Sequence, residues 1–342
     1  MRVAMYYSNR DIRLQEMPMP QIGPGEVLMR VEASGICGTD LLEWYRLHKA
    51  PLVLGHEVAG VIEAVGEGVE DHKAGDRICA AHHVPCNTCH YCLSGHHTVC
   101  DTLRRTNFDP GGFAEYLRLA RINVEQGIFP LPDEVSFEEA TFVEPLACVL
   151  RGQRLAHLRP GQSVLVVGSG VTGLLHIQLA RTSGAGYIMA TDIVGYRLEA
   201  ARAFGADAAV HAHQYSPRHL HHAVDGRLAD LVIICSGATL AITQGLDSVE
   251  RGGTVLFFAP TEPGVTVPIS VNDLFWRNEI TLTSSYAGGP ADYAAALELI
   301  QTGKIRVRDM ITHRLGLSET GLGFQLVAQA RDSLKVIIQP QR

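Results

Sequence analysis

The sequence has no basic excess. Lysine and arginine number 29 against 36 acidic residues, a net charge of −7 with histidine neutral. No basic run exists to follow a phosphate backbone, so nucleic acid is not an expected partner. A long apolar leader is also missing. "MRVAMYYSNRDIRL" holds only a handful of apolar residues before Arg10 and Asp11 return charge. That is too short for a signal-peptide core, and a cytoplasmic, reducing setting is expected. Charged residues are few, at 19%, and hydrophobic residues make up 46%, which excludes a disordered chain and fits a large core. No internal repeat or low-complexity linker breaks the chain. One stretch, between Arg159 and Arg181, lacks formal charge and raises the possibility of a membrane helix. Three glycines within six positions, just after "SVLVV", argue instead for a buried strand, a tight turn and a helix, so no membrane association is expected.

At 342 residues, about two domains of ~150 residues are expected. Residues 1–130 read as strand and turn. "EVLMRVEASG" places Val27, Met29, Val31 and Ala33 on one face, the period of a half-buried strand. "EVAGVIEAVGEGV" and "GDRICAA" read as two more strands between glycine turns. From about Ser136, "SFEEATFVEPLACVLRGQRLAHL" has helical spacing, with an interruption expected at Pro145. Strands and helices then alternate. "SVLVVG", "YIMATD", "DAAVHA", "ADLVIICSG", "GTVLFFA" and "ITLTSSY" are six short apolar strands, which predicts a doubly wound parallel sheet. The tail reads as two helical segments and a final strand, "LKVIIQ". "HAHQYSPRHLHH" (211–222) lacks a defined ligand spacing and reads as a solvated loop.

Eight cysteines are present, and four of them fall in "PCNTCHYCLSGHHTVC" with the spacing C-x2-C-x2-C-x7-C. Disulfides are rare in a reducing compartment, and close C-x2-C pairs there more often hold a metal. The glycines of "VLVVGSGVTG" give Gly168, Gly170 and Gly173 as G-x-G-x-x-G, with Thr172 in the same turn. The pattern follows a strand and opens a helix, the context in which it binds a dinucleotide pyrophosphate at a helix N-terminus. Asp192 ends the next strand, 19 residues after Gly173. An acid there accepts from both ribose hydroxyls and repels a 2′-phosphate, which favours NAD over NADP. Arg197 could flank the adenine or pair with a phosphate.

Three further motifs carry metal chemistry. "GICGTD" sets Cys37 and Thr39 on a turn after a strand, "LGHEVAG" sets His56 and Glu57 on the next, and "FVEPLAC" sets Glu144 on the helical stretch. A thiolate, an imidazole and a carboxylate are what a catalytic zinc needs, with one position left open. Trp44, Tyr45, His48, Trp276, Arg277 and Tyr286 are candidate pocket residues.

Taken in order, "CGTD", "GHEVAGVIEAVGEGV", "GDRI", "CNTCHYCLSGHHTVC", "GGFAEY", "VEPLA" and "GSGVTG" resemble the zinc-dependent medium-chain dehydrogenase family, in its sorbitol and threonine dehydrogenase branch. The resemblance covers essentially the whole chain. It implies an α/β protein: a mainly β GroES-like catalytic domain built from 1–147 and 286–342, and an NAD-binding Rossmann domain at 148–285. It implies a homodimer or homotetramer. Cys86, Cys89, Cys92 and Cys100 would hold a structural zinc. Cys37, His56 and a carboxylate, Glu57 or Glu144, would hold a catalytic one, with Cys148 a weaker third candidate. The implied reaction is NAD-dependent oxidation of a secondary alcohol, a polyol or cyclitol, the alternative being an amino alcohol of the threonine type. Thr39 would begin a proton relay. In that branch a histidine commonly follows the zinc cysteine by five residues; here Leu42 stands there, and His48 is the nearest histidine in sequence. A zinc-free reductase on the same fold would have no use for Cys37, His56 and Glu144 together. A non-enzymatic zinc-ribbon protein would leave the glycine turn unexplained.

Overall fold

A computed structural model describes all residues, Met1–Arg342. The chain divides into two compact units, Met1–Ala147 with Ala287–Arg342, and Cys148–Tyr286.

The first unit is mainly β. Its larger sheet runs Ile311–Gly316, Lys335–Gln339, Val27–Gly35, Glu57–Val65, Arg77–Ala80, Ile128–Pro130, with Tyr116–Leu119 also pairing on Val27–Gly35. A smaller sheet joins Asp11–Glu16, Arg2–Ser8 and Leu52–Val53. The C-terminal strand pairs antiparallel with the third strand of the chain, Ile337 against Gly35 and Ile338 against Ser34. Both ends of the sequence therefore build one core, in which Val3, Tyr6, Ile36, Phe113, Leu315, Phe324, Val336 and Ile338 are buried. The strand Val27–Gly35 departs from its expected one-sided burial. Only Arg30 and Glu32 reach solvent, as an ion pair at 2.6 Å, and Leu28 and Ser34 are covered on the other face. The helix Phe137–Ala140 packs against this strand.

The second unit is a six-stranded sheet in the order Ala208–His211, Tyr187–Asp192, Ser163–Val167, Ala229–Ile234, Val249–Phe257, Thr281–Ser284. All neighbours are parallel. Numbered by sequence this is 3-2-1-4-5-6, the doubly wound order whose nucleotide crevice lies where the order reverses. Ser163–Val167 is buried at every position, as a central parallel strand must be. No helix is long and apolar enough to cross a membrane.

Three expectations are corrected. The helical stretch after Ser136 breaks at Thr141 and Phe142, not at Pro145, giving helices Phe137–Ala140 and Val143–Leu155. Pro145 falls in the first turn of the second, where a missing N–H costs no intrahelical bond. The first starts on a capping box: Ser136 Oγ accepts from Glu139 N–H (3.2 Å), while Glu139 Oε2 accepts from Ser136 N–H (3.1 Å). The tail contains a strand that was not expected, Ile311–Gly316, pairing parallel with Lys335–Gln339; His313 and Arg314 break its apolar pattern. Within 211–222, Arg218–Ala223 is a short helix that buries Leu220, and Tyr215 is buried before it, so the segment is not a simple solvated loop.

Candidate active site

Cys37 follows the strand Val27–Gly35 and leads into a single 3-10 turn, Gly38–Leu41. The turn is held by Asp40, which is fully buried. Asp40 Oδ2 accepts from Cys37 N–H (3.1 Å), and Oδ1 faces His56 Nδ1 (3.3 Å) and Arg46 Nη2 (3.5 Å). Arg46 also donates from Nε to the Thr39 carbonyl (3.2 Å), and Thr39 Oγ1 donates to Cys37 Sγ (3.2 Å). His56 enters from the start of the strand Glu57–Val65. Donor atoms of Cys37, His56 and Glu57 all lie within 4.8 Å of one another. Thiolate, imidazole and carboxylate suit zinc, and Asp40 faces Nδ1 of His56, as a carboxylate commonly faces the ring nitrogen of a zinc-bound histidine that does not hold the metal. The residues present therefore fit the metal.

Electrostatics sharpen this picture. Burial disfavours a charged His56, but the Asp40 carboxylate outweighs it and holds the imidazole well above its ordinary value. Burial opposes ionisation of Asp40 too; His56, Arg46 and the Cys37 N–H together pull its carboxyl down. Two histidines not singled out from the sequence stand beside this centre. The His82 ring lies 4.9 Å from His56 and 3.9 Å from His83. Burial drives His82 far down and His83 to about 4, so both are neutral at physiological pH. The adjacent pair in "AHHVPC", just before the cysteine run, was the available signal.

The two candidate carboxylates differ. Glu57 belongs to the three-donor group; Glu144 and Cys148 do not. Glu144, in the first turn of the helix Val143–Leu155, is buried and lines a small cavity with Val58, Cys79, Ala80, Ala140, Val143 and Tyr293. Glu57 is ion-paired through Oε2 with Lys335 Nζ, and both side chains are only 1% exposed. Lys335 lies inside the strand read as "LKVIIQ", where the apolar neighbours concealed its role.

The four-cysteine segment forms a lobe of the first unit with a small hydrophobic cluster of its own. Ligand atoms of Cys86, Cys89, Cys92 and Cys100 all lie within 4.8 Å of one another. Cys89 and Cys92 sulfurs are 3.5 Å apart, and those of Cys86 and Cys100 are 3.6 Å apart. Disulfide sulfurs would be about 2.05 Å apart. Four thiolates at about 2.3 Å from zinc would sit about 3.8 Å apart, close to what is seen. Asn87 takes a positive φ of 59° between the first two ligands, which turns the Cys89 N–H onto Cys86 Sγ (3.3 Å). The lobe's own core is small: Cys92, Cys100 and Leu103, with Ala287 packed against them.

In the second unit, Gly168 leaves the strand Ser163–Val167 with φ of 98°, a conformation a side chain would strain. The helix Val171–Thr182 follows, with Gly170 as its cap and no acid in its first turn, so its positive end is unopposed. At Gly173 a Cβ would collide with the Gly168 carbonyl. Asp192 is fixed by two backbone donors, Ser169 N–H to Oδ2 (2.8 Å) and Val194 N–H to Oδ1 (2.9 Å). Each oxygen keeps a second lone pair for a ribose hydroxyl. The Arg197 guanidinium comes within 3.8 Å of where a Cβ on Gly170 would stand, and its Nε is buried without a hydrogen-bond partner. Thr172 hydrogen-bonds the Cys235 thiol, which burial pushes up to about 12.

Of the other candidates, Tyr45 is flanked by the Arg46 guanidinium (4.8 Å) and the Lys49 ammonium (4.5 Å). His48 is exposed in the turn Leu47–Lys49. Trp44, Trp276 and Tyr286 are exposed.

Residues 23–133 match the family described as alcohol dehydrogenase GroES-like domain, and residues 171–302 match that described as zinc-binding dehydrogenase. Sorbitol dehydrogenase of Bacillus subtilis is 29% identical over 353 aligned positions, covering 100% of this chain and 98% of that protein. D-xylulose reductase A of Aspergillus oryzae is 31% identical over 341, covering 96% and 93%. Among solved structures, 2R,3R-butanediol dehydrogenase from Bacillus subtilis superposes with a TM-score of 0.86 at 26% identity, covering 99% of each chain.

Proposed function

We propose that this chain, which belongs to the zinc-dependent medium-chain dehydrogenase family in its sorbitol dehydrogenase-like branch, oxidises a secondary alcohol of a small polyol to the ketone, with NAD as the acceptor. The observation that carries the reading is the convergence of Cys37, His56 and Glu57 in a chain that also has the glycine turn and Asp192. Relatives named for sorbitol, xylulose and butanediol support a polyol or vicinal diol. Asp192 supports NAD over NADP.

Two zinc ions per chain are proposed, one held by Cys86, Cys89, Cys92 and Cys100, one by Cys37, His56 and Glu57. Four thiolates leave no open position, so the first is structural; three protein ligands leave one, so the second can meet substrate. When bound, the catalytic zinc supplies Lewis-acid stabilisation of an alkoxide and the nicotinamide supplies the hydride acceptor. The chain's own residues do the rest. Asp40 orients His56 through Nδ1, and Arg46 ties Asp40 to the Thr39 backbone. Thr39 Oγ1 is the hydroxyl beside Cys37 Sγ and is the first acceptor of the alcohol proton. Leu42 can neither accept nor donate a proton, so the relay does not pass through it. The neutral imidazoles of His82 and His83 put no competing cation beside the metal ligands.

A panel of polyols, cyclitols, diols and amino alcohols tests this, read by absorbance of reduced cofactor. Turnover of polyols or diols is expected. Turnover confined to amino alcohols would replace this substrate class with the threonine type.

A further inference from the structure

Lys335 is a lysine inside an apolar strand at 1% exposure, flanked by buried Leu334, Val336 and Ile337. A cation so placed needs a partner. Its Nζ donates to Glu57 Oε2 and, at 3.4 Å, to the carbonyl of Ile36, the residue before Cys37. It also stands 5.3 Å above the Phe142 ring. The pair fits only because position 35 is glycine: a Cβ there would collide with the Glu57 carboxylate and with Lys335 Cε. Strand pairing fixes the arrangement, since Ile337 sits opposite Gly35 and Gly35 opposite Glu57. A buried ammonium thus shares one carboxylate with the Cys37–His56–Glu57 donor group.

We propose that Lys335 is a positioning residue that competes with the metal for the Glu57 carboxylate and keeps it a weak, exchangeable ligand. This rests on the reading of Glu57 as the third protein ligand. An ammonium on one carboxylate oxygen withdraws charge from the group and repels a dication. With the ammonium removed, Glu57 would bear its full charge toward the metal and bind it harder. The outcome is opposite in sign to the loss of a hydrogen-bond partner that supports a metal ligand, which typically loosens a metal about 10–100-fold.

The test is zinc affinity of the Cys37 site in the full-length protein, measured by competition with a chromophoric chelator; Cys37→Ala identifies which binding phase belongs to it. Lys335→Met is expected to tighten zinc about tenfold, the size of the effect of losing a ligand's supporting hydrogen bond but reversed. Lys335→Gln, whose amide still donates to Glu57, should tighten it less and guards against misfolding of the methionine variant. Glu57→Gln should loosen zinc, and Lys335→Met with Glu57→Gln should lose the tightening. Unchanged or weaker zinc binding in both single lysine variants overturns the proposal. So does a double variant as tight as Lys335→Met, because the effect would then not pass through Glu57. Unchanged affinity in Glu57→Gln instead removes the underlying ligand assignment, and the proposal with it.

Discussion

Asp40 shows how a short motif carries more than its obvious ligand. "CGTD" drew attention to Cys37 and Thr39, yet it is the aspartate that folds the turn and faces the histidine. The sequence hid this because the partners are separated along the chain and an exposure of 0% is a property of the fold. The consequence is a pH effect on metal uptake. The Asp40 carboxylate holds His56 well above its ordinary value in the metal-free protein, which favours the charged ring. Zinc needs the neutral ring, so binding must expel that proton. Below the raised value, apparent zinc affinity at this site should fall about tenfold per pH unit from His56 alone. Asp40→Asn should move the onset of that fall to lower pH. Isothermal titration of the metal-free protein in buffers of different ionisation enthalpy checks both; no proton release at neutral pH would refute the assignment. The sign for stability is the reverse. A histidine with a raised folded value adds stability that is fully present below about 6.5 and lost as pH rises through the folded value.

At the scale of elements, spacing made some features legible and not others. The four-cysteine run and the glycine turn could be read because their ligands and bends are local in sequence. The break before Pro145 was misplaced because proline is harmless in a first helical turn. The strand Ile311–Gly316 was invisible because it pairs at a sheet edge, where His313 and Arg314 can face solvent. The local elements also give direct tests. Cys89→Ser should cost the lobe its metal and lower the thermal midpoint, because Cys92, Cys100 and Leu103 form too small a core to hold 85–100 alone. Metal analysis and a melting curve decide it; full zinc with an unchanged midpoint would refute the staple role. In the second unit, Asp192→Ala removes the acceptor that Ser169 and Val194 fix in place. It should weaken NAD and relax rejection of NADP. The expectation fails if the unmodified enzyme already has a higher kcat/KM with NADP than with NAD.

Across the whole molecule, both metal groups belong to the unit Met1–Ala147 with Ala287–Arg342, whereas the glycine turn and Asp192 belong to Cys148–Tyr286. The second unit has its own core, in which Leu165, Val167, Met189, Val232, Ile234 and Val255 are buried. Its nucleotide turn therefore does not need zinc in order to fold. The two metal groups differ in grip as well. One offers four sulfurs and is closed; the other offers three unlike donors, one of them shared with Lys335. Among the sulfurs, backbone and side-chain hydrogen bonds from Thr88 bring Cys86 down to about 5, whereas burial pushes Cys92 up to about 12. A mild chelator should accordingly remove zinc in two phases. The first phase should take about one zinc and all turnover with little change in circular dichroism, because an open three-ligand site contributes chemistry more than fold. The second should take the remaining zinc together with structure in the cysteine lobe. Between the phases, NADH should still bind, seen as retained fluorescence of the bound dinucleotide, although nothing is turned over. Loss of both zincs in one phase with unfolding would show that the two groups do not differ in this way, and loss of NADH binding in the first phase would tie the nucleotide turn to the catalytic metal.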